Sequence, residues 1–125
     1  MGANGSKSLG TTETEEGRRW TTIEVLPNGV KIIEFKNPNT PTKMPEESHS
    51  PNAIYGMIFK KGNGLKSISI YGSDCKKIVE IHNEDHDGMG VHFHYWKNGR
   101  PVGKPIPIFE NPAYEHLLKE TIGYL

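Results

Sequence analysis

The stretch KIVEIHNEDHDGMGVHFHYW, residues 77–96, decides the fold and contains most of the chemically active side chains. Its first six residues alternate between apolar and polar side chains. Because successive side chains of a β-strand point to opposite faces, Val79 and Ile81 share one face and Glu80 and His82 share the other. The pattern predicts a strand with one apolar and one polar face.

The last six residues of the stretch, 91–96, alternate in the same way, and their odd-numbered members are apolar or aromatic. If the two strands pair with these faces aligned, four ionisable side chains share the opposite face. These four are Glu80, His82, His92 and His94. The connecting loop, residues 83–90, contains His86, two glycines and three acids. It is longer than most hairpin loops and can fold over the polar face to close a site.

The rest of the chain shows the same alternation between clear turn signals. Further strands are predicted at 20–26, 30–36, 54–60 and 65–71. The segment 37–52 holds four prolines and is predicted to be a long loop. The segment 101–109 holds three prolines, which favours an edge strand or an extended arm.

A helix is predicted at the C-terminal end of the sequence. Asn111 and Pro112 resemble an N-cap followed by proline at the first helical position. The helix is expected to continue to about Ile122, with Gly123 as the stop signal. It places apolar side chains on one side, which should pack against the sheet.

These elements predict an α+β fold: an antiparallel meander of about five or six strands, one C-terminal helix and a disordered N-terminal leader. The leader is residues 1–18, which are mostly polar residues and glycines with one leucine and cannot bury much surface. Residues 19–125 are predicted to form a single domain, as expected for a chain of 125 residues.

Composition excludes several classes of protein. The 15 basic and 15 acidic residues balance to zero, which argues against a protein that coats nucleic acid through a basic surface. No apolar run approaches 18 residues, so no membrane span is predicted. The single cysteine, Cys75, cannot form an internal disulfide and gives no evidence of an oxidising compartment.

The segment 80–100 contains four of the six histidines, the side chain that titrates near neutrality and most often binds metals. The expected catalytic residues are His92, His94, His82, Glu80 and His86. The expected substrate-binding residues are Lys97, Arg100 and Trp96. Each also has an ordinary structural interpretation. The histidines would then lie on an exposed strand face without a function, and the tryptophan would be a packing residue. The lysines, Lys77 among them, would be exposed to solvent.

Three kinds of function fit these residue types. Metal-independent cleavage of RNA needs one group to accept the 2′-hydroxyl proton, another to protonate the leaving 5′-oxygen, and a cation for the phosphate. A metal-dependent hydrolase could use His92 and His94 with His82 or His86 and a carboxylate, although the spacing matches no closed zinc motif. A binding module would place the histidines at an interface.

Several of these segments together resemble a family of small toxin-like domains. They are KSISIYGSDCKKIVEIH at 66–82, DHDG at 85–88, HFH at 92–94 and WKNGRP at 96–101. Over about residues 52–101 the chain resembles C-terminal domains of bacterial polymorphic toxins and of phage head-morphogenesis proteins. Many such domains are similar to metal-independent ribonucleases of the barnase–EndoU–colicin–RelE group, which pack a helix on a small antiparallel sheet.

The resemblance implies a phage or bacterial origin and action in the cytoplasm of a bacterial host cell. The leading hypothesis is a toxin-like ribonuclease without metal or other cofactor, whose partners are RNA and an immunity protein. The alternative is a non-enzymatic phage accessory or anti-defence protein that binds a host defence protein or a small ligand. A metal-dependent hydrolase is the third hypothesis.

Overall fold

The computed structural model of the chain describes residues 20–35, 43–59, 64–84 and 88–125. The predicted leader, residues 1–18, lies outside the described residues. So does His86, one of the candidate catalytic histidines.

Within these described residues, seven strands form one sheet in which the spatial order follows the order in the chain. They are β1 (Trp20–Val25), β2 (Lys31–Phe35), β3 (Ile54–Ile58), β4 (Leu65–Tyr71), β5 (Lys77–His82), β6 (His92–Lys97) and β7 (Arg100–Pro107). A short 3-10 helix (Ile108–Glu110) and helix α1 (Pro112–Tyr124) follow. The predicted α+β class with a C-terminal helix is confirmed.

The predicted count of five or six strands is wrong, because the proline-containing segment after β6 is a seventh strand. β7 pairs antiparallel with β6, with Phe93 opposite Ile106 and Trp96 opposite Pro101. β7 is the last strand of the sheet. The prolines are tolerated there because one side of an edge strand has no partner that needs an N–H donor.

The prediction of a continuous antiparallel meander is also wrong at one position. β2 and β3 run parallel, with Lys31 opposite Tyr55 and Ile32 opposite Gly56. The other neighbouring pairs of the sheet are antiparallel. A parallel pair needs a long crossover, and the segment 36–53 is long enough to carry the chain back to the end where β2 began.

Helix α1 begins as predicted. The Asn111 side chain accepts a hydrogen bond from the backbone N–H of Tyr114 at 3.1 Å, and Pro112 occupies the first turn. The predicted stop is wrong, because the helix continues through Gly123. Glycine ends a helix when it adopts a positive φ, and Gly123 does not. Among the described residues, no helix combines the length and hydropathy of a membrane span.

The sheet buries apolar residues on both faces. One face packs against α1 and the 3-10 helix. The buried cluster between the sheet and these helices comprises Leu65, Ile68, Val79, Ile81, Phe93, Ile108 and Leu118. Ile32 belongs to a cluster on which Leu117 of α1 packs, whereas the next residue, Ile33, belongs to a separate cluster. Consecutive strand residues point to opposite faces, so this second cluster lies on the other side of the sheet.

The second cluster lies over β1 to β4 and is covered by the segment 43–53. It comprises Trp20, Ile33, Met44, Ala53, Tyr55, Met57 and Tyr71. Met44 and the Trp20 indole are almost completely buried, and the ring of His49 stacks on Trp20 with centroids 4.3 Å apart. The same sheet face continues past this cover onto β5 and β6, where the polar side chains lie.

Candidate functional site

The predicted polar face exists, and the strand register aligns its members in pairs. On β5 and β6, Glu80 lies opposite His94 and His82 lies opposite His92. Directly opposed residues of an antiparallel pair share a face. We call this surface the histidine face. It comprises Lys77, Glu80, His82, His92, His94 and Trp96.

The three imidazoles of the histidine face form a nearly equilateral group. Ring centroids are 5.2 Å apart for His82 and His92, 5.4 Å for His82 and His94, and 5.3 Å for His92 and His94. The first pair is close to parallel, at 18°, whereas the His94 ring is nearly perpendicular to both others. Three imidazoles can therefore meet the same small substrate.

The three histidines differ in how far they are exposed to solvent. His92 is only 4% exposed, whereas the side chain of His82 is 27% exposed and His94 is half-buried. A ligand can therefore reach the group from the side of His82 and His94, while His92 forms its inner wall.

A hydrogen bond to Gly90 determines which nitrogen of the neutral His92 ring carries the proton. Its Nδ1 lies 3.0 Å from the backbone carbonyl oxygen of Gly90. A carbonyl oxygen only accepts, so Nδ1 must carry the proton. Gly90 has a φ of +80°, in the region that favours glycine. The turn before β6 thus sets the tautomer of His92 and leaves Nε2 as its basic nitrogen in the neutral ring.

Glu80 is a buried carboxylate that is bound on both oxygens. It is 6% exposed, its Oε1 lies 2.5 Å from Lys77 Nζ, and its Oε2 lies 3.3 Å from His82 Nε2. The carboxylate thereby links a lysine to a histidine. Its neighbours across the sheet are also polar, since Ser69 on β4 lies opposite Glu80.

Burial lowers the pKa of His82, and this effect outweighs the opposing attraction of Glu80. The nearby imidazole of His92 lowers the pKa further, because two adjacent imidazolium ions repel each other. His82 is thus neutral at pH 7 and can accept a proton.

Lys77 is the member of the histidine face that sequence reasoning missed. It was expected to be solvated, but it is 3% exposed. In a regular strand, residues 77 and 80 point to opposite faces. A register shift places Lys77 opposite Tyr71 and Val79 opposite Ile70, so Ile78 is an extra residue and is 44% exposed. The adjoining turn is also irregular, since Cys75 has a φ of +67°, a property that the sequence does not reveal.

The ammonium group of Lys77 is enclosed by three partners. Its Nζ lies 4.0 Å from the ring centroid of Trp96, 3.4 Å from the carbonyl oxygen of Met44 and against Glu80. Burial lowers the pKa of Lys77 despite the attraction of Glu80. The ring of Trp96, one of the expected substrate-binding residues, covers this ammonium group.

Two expected substrate-binding residues lie apart from the histidine face. Lys97 and Arg100 are opposite each other at the ends of β6 and β7, on an exposed turn. Lys97 follows Trp96 and so points to the other side of the sheet. Within the described part of the chain, no set of three or more histidine, cysteine, aspartate or glutamate side chains is arranged to hold a metal ion.

Comparison with protein-family models, with curated proteins and with solved structures finds no match for this chain. The resemblance over residues 52–101 therefore stays a prediction.

Proposed function

We propose that the histidine face is an acid–base catalytic site for cleavage of RNA without a metal ion, in a toxin-like domain of phage or bacterial origin. The observation that supports the proposal is the group of three imidazoles, 5.2–5.4 Å apart and open to solvent on one side. Transesterification of RNA needs a neutral base and a protonated acid within reach of one phosphodiester, and such a group supplies both.

His82 fits the role of base. Its Nε2 faces Glu80, and a carboxylate accepts, so the neutral ring carries its proton on Nε2 and offers Nδ1 as the acceptor. Nδ1 takes the 2′-hydroxyl proton, the 2′-oxygen attacks phosphorus, and the bond from phosphorus to the 5′-oxygen breaks. An imidazolium at His92 or His94 gives its proton to the departing 5′-oxygen.

Lys97 and Arg100 have a secondary role in this proposal. They lie on the exposed turn that ends β6 and point away from the histidine face, so they would contact only phosphates of an RNA that extends past this end of the sheet, not the reacting phosphate. With zero net charge, the protein attracts RNA weakly, so binding depends on such local contacts. The proposed place of action is the bacterial cytoplasm, and an immunity protein would bind over the histidine face.

The decisive experiment is cleavage of a labelled single-stranded RNA by the purified protein, with and without EDTA. Cleavage that survives EDTA and shows a bell-shaped dependence on pH supports the proposal. Cleavage that EDTA abolishes supports the metal-dependent hydrolase instead. Absence of cleavage, together with unimpaired growth of bacteria that express the protein, contradicts both enzymatic functions.

A binding module is the second candidate, and exposed apolar side chains on the two outer strands of the described sheet favour it. Ile23 and Val25 on β1 are 49% and 60% exposed, and Val102 on β7 is 49% exposed. Edge strands present unpaired backbone groups to a partner chain. In this function the protein is a phage accessory or anti-defence protein. Capture of a host defence protein that persists in the His92→Ala, His94→Ala double variant would support it.

A further inference from the structure

The buried pair of Lys77 and Glu80 needs an explanation beyond stability. Their side chains are 1% and 8% exposed, and the Nζ–Oε1 distance is 2.5 Å. Withdrawing two charges from water costs several kcal/mol, and a buried ion pair typically recovers little more than that cost. A well-packed apolar pair would hold β5 in place as well.

The contacts of Lys77 determine where the carboxylate of Glu80 points. Nζ is held by the carbonyl oxygen of Met44 and by the face of the Trp96 ring. Because Nζ is fixed and binds Oε1, the carboxylate presents its second oxygen, Oε2, to Nε2 of His82. The contact between the lysine and the histidine is thus made through this carboxylate.

We propose that Lys77 is a positioning residue that acts through Glu80 to hold His82 in the tautomer with the proton on Nε2. In that tautomer Nδ1 carries the lone pair. The catalytic consequence, that Nδ1 is the base, rests on the proposed function. The tautomer itself does not, because it can be measured in a protein with no activity.

The charged and titratable groups around His82 give the direction of the accompanying pKa change. Glu80 and Glu84 raise the pKa of His82, whereas burial, His92 and Lys77 lower it. His94 also faces the ring, at 5.4 Å between centroids. Removing the positive charge of Lys77 leaves His82 as the main counter-ion of Glu80, so the pKa of His82 should rise.

The test is nitrogen-detected NMR of His82, in which the shifts of Nδ1 and Nε2 report the tautomer and their titration reports the pKa. In the wild-type protein, the proposal requires the Nε2–H form. In Lys77→Met we expect a mixture of tautomers and a higher pKa. Lys77→Arg keeps the positive charge and should restore both. Lys76→Met is the matched control, because Lys76 adjoins Lys77 in the chain but its side chain is 58% exposed and pairs with the exposed Glu47 at 3.5 Å.

The double variant Lys77→Met, Glu80→Gln removes both buried charges and serves if the single variant does not fold. The amide of the glutamine can either accept a hydrogen bond from His82 or donate one to it, so the double variant should lose the preference for the Nε2–H tautomer. A wild-type His82 in the Nδ1–H form overturns the proposal, and so does an unchanged tautomer in either folded variant. These outcomes are independent of RNA cleavage. Where cleavage is present, the acidic limb of the pH–rate profile should move to higher pH in Lys77→Met and return in Lys77→Arg.

Discussion

The imidazoles of His82 and His92 lie face to face, with centroids 5.2 Å apart and ring planes 18° from parallel. They sit directly opposite each other on adjacent strands. Burial lowers the pKa of His82, and His92 lowers it further, because two imidazolium ions so placed would repel each other. The neutral form of His82 that this favours is the form in which it can accept a proton.

Stability should fall as the pH drops through the range in which His82 titrates. Because burial lowers its pKa in the folded protein, the unfolded chain binds a proton first, from about pH 6.5 downward. The contribution of neutral His82 is therefore complete above that pH and is lost as the pH falls through the folded pKa. Melting temperatures between pH 8 and pH 5 measure this loss. In His82→Gln the slope should be smaller, and an unchanged slope would assign the effect to other groups.

Replacing the histidines of the site should abolish cleavage without unfolding the protein. His92→Ala and His94→Ala should each lower the rate by about 10²–10⁴-fold, the usual effect of losing a proton-transfer group. His116→Ala is the control, since this histidine is 78% exposed on α1, on the opposite side of the sheet. Circular dichroism should show the same fold in all three. If full activity persists in both site variants, the histidine cluster has no catalytic role.

Sequence alone predicted the elements whose patterns are local. The bounds of β4 and β5, the start of α1, and the shared face of Glu80, His82, His92 and His94 follow from period-two alternation and capping chemistry. The parallel pairing of β2 with β3 could not be predicted, because it depends on the course of a long crossover.

Lys77 was missed for a different physical reason. A single bulge inverts the face on which a residue lies, and the alternation rule assumes that none is present. The same rule placed no cation beside Glu80, and it offered Lys97 and Arg100 as the basic residues near the site. The cation that lies beside Glu80 is Lys77, the first residue of β5.

The cap of α1 should contribute measurably to stability. Asn111 Oδ1 accepts a hydrogen bond from the Tyr114 N–H at 3.1 Å, so Asn111→Ala should lower the free energy of unfolding by about 1 kcal/mol. Asn111→Ser retains an acceptor and should cost much less. Urea denaturation of the two variants provides the comparison, and equal losses would show that the side-chain hydrogen bond is not the cause.

Two glycine-to-alanine changes should have opposite effects on stability. A Cβ at Gly56 would lie 2.9 Å from Ile32 Cδ1 and 3.2 Å from Val30 Cγ1, where β3 passes closest to β2. Because both partners are almost completely buried, Gly56→Ala should lower the free energy of unfolding by about 1–3 kcal/mol through overpacking. A Cβ at Gly123 in α1 meets nothing within 4 Å, so Gly123→Ala should stabilise the helix by up to about 1 kcal/mol. Urea denaturation of both variants measures whether the free energy of unfolding falls in the first and rises in the second. A stable Gly56→Ala protein would mean that Ile32 moves aside freely, and that the parallel contact of β2 and β3 does not depend on the missing side chain.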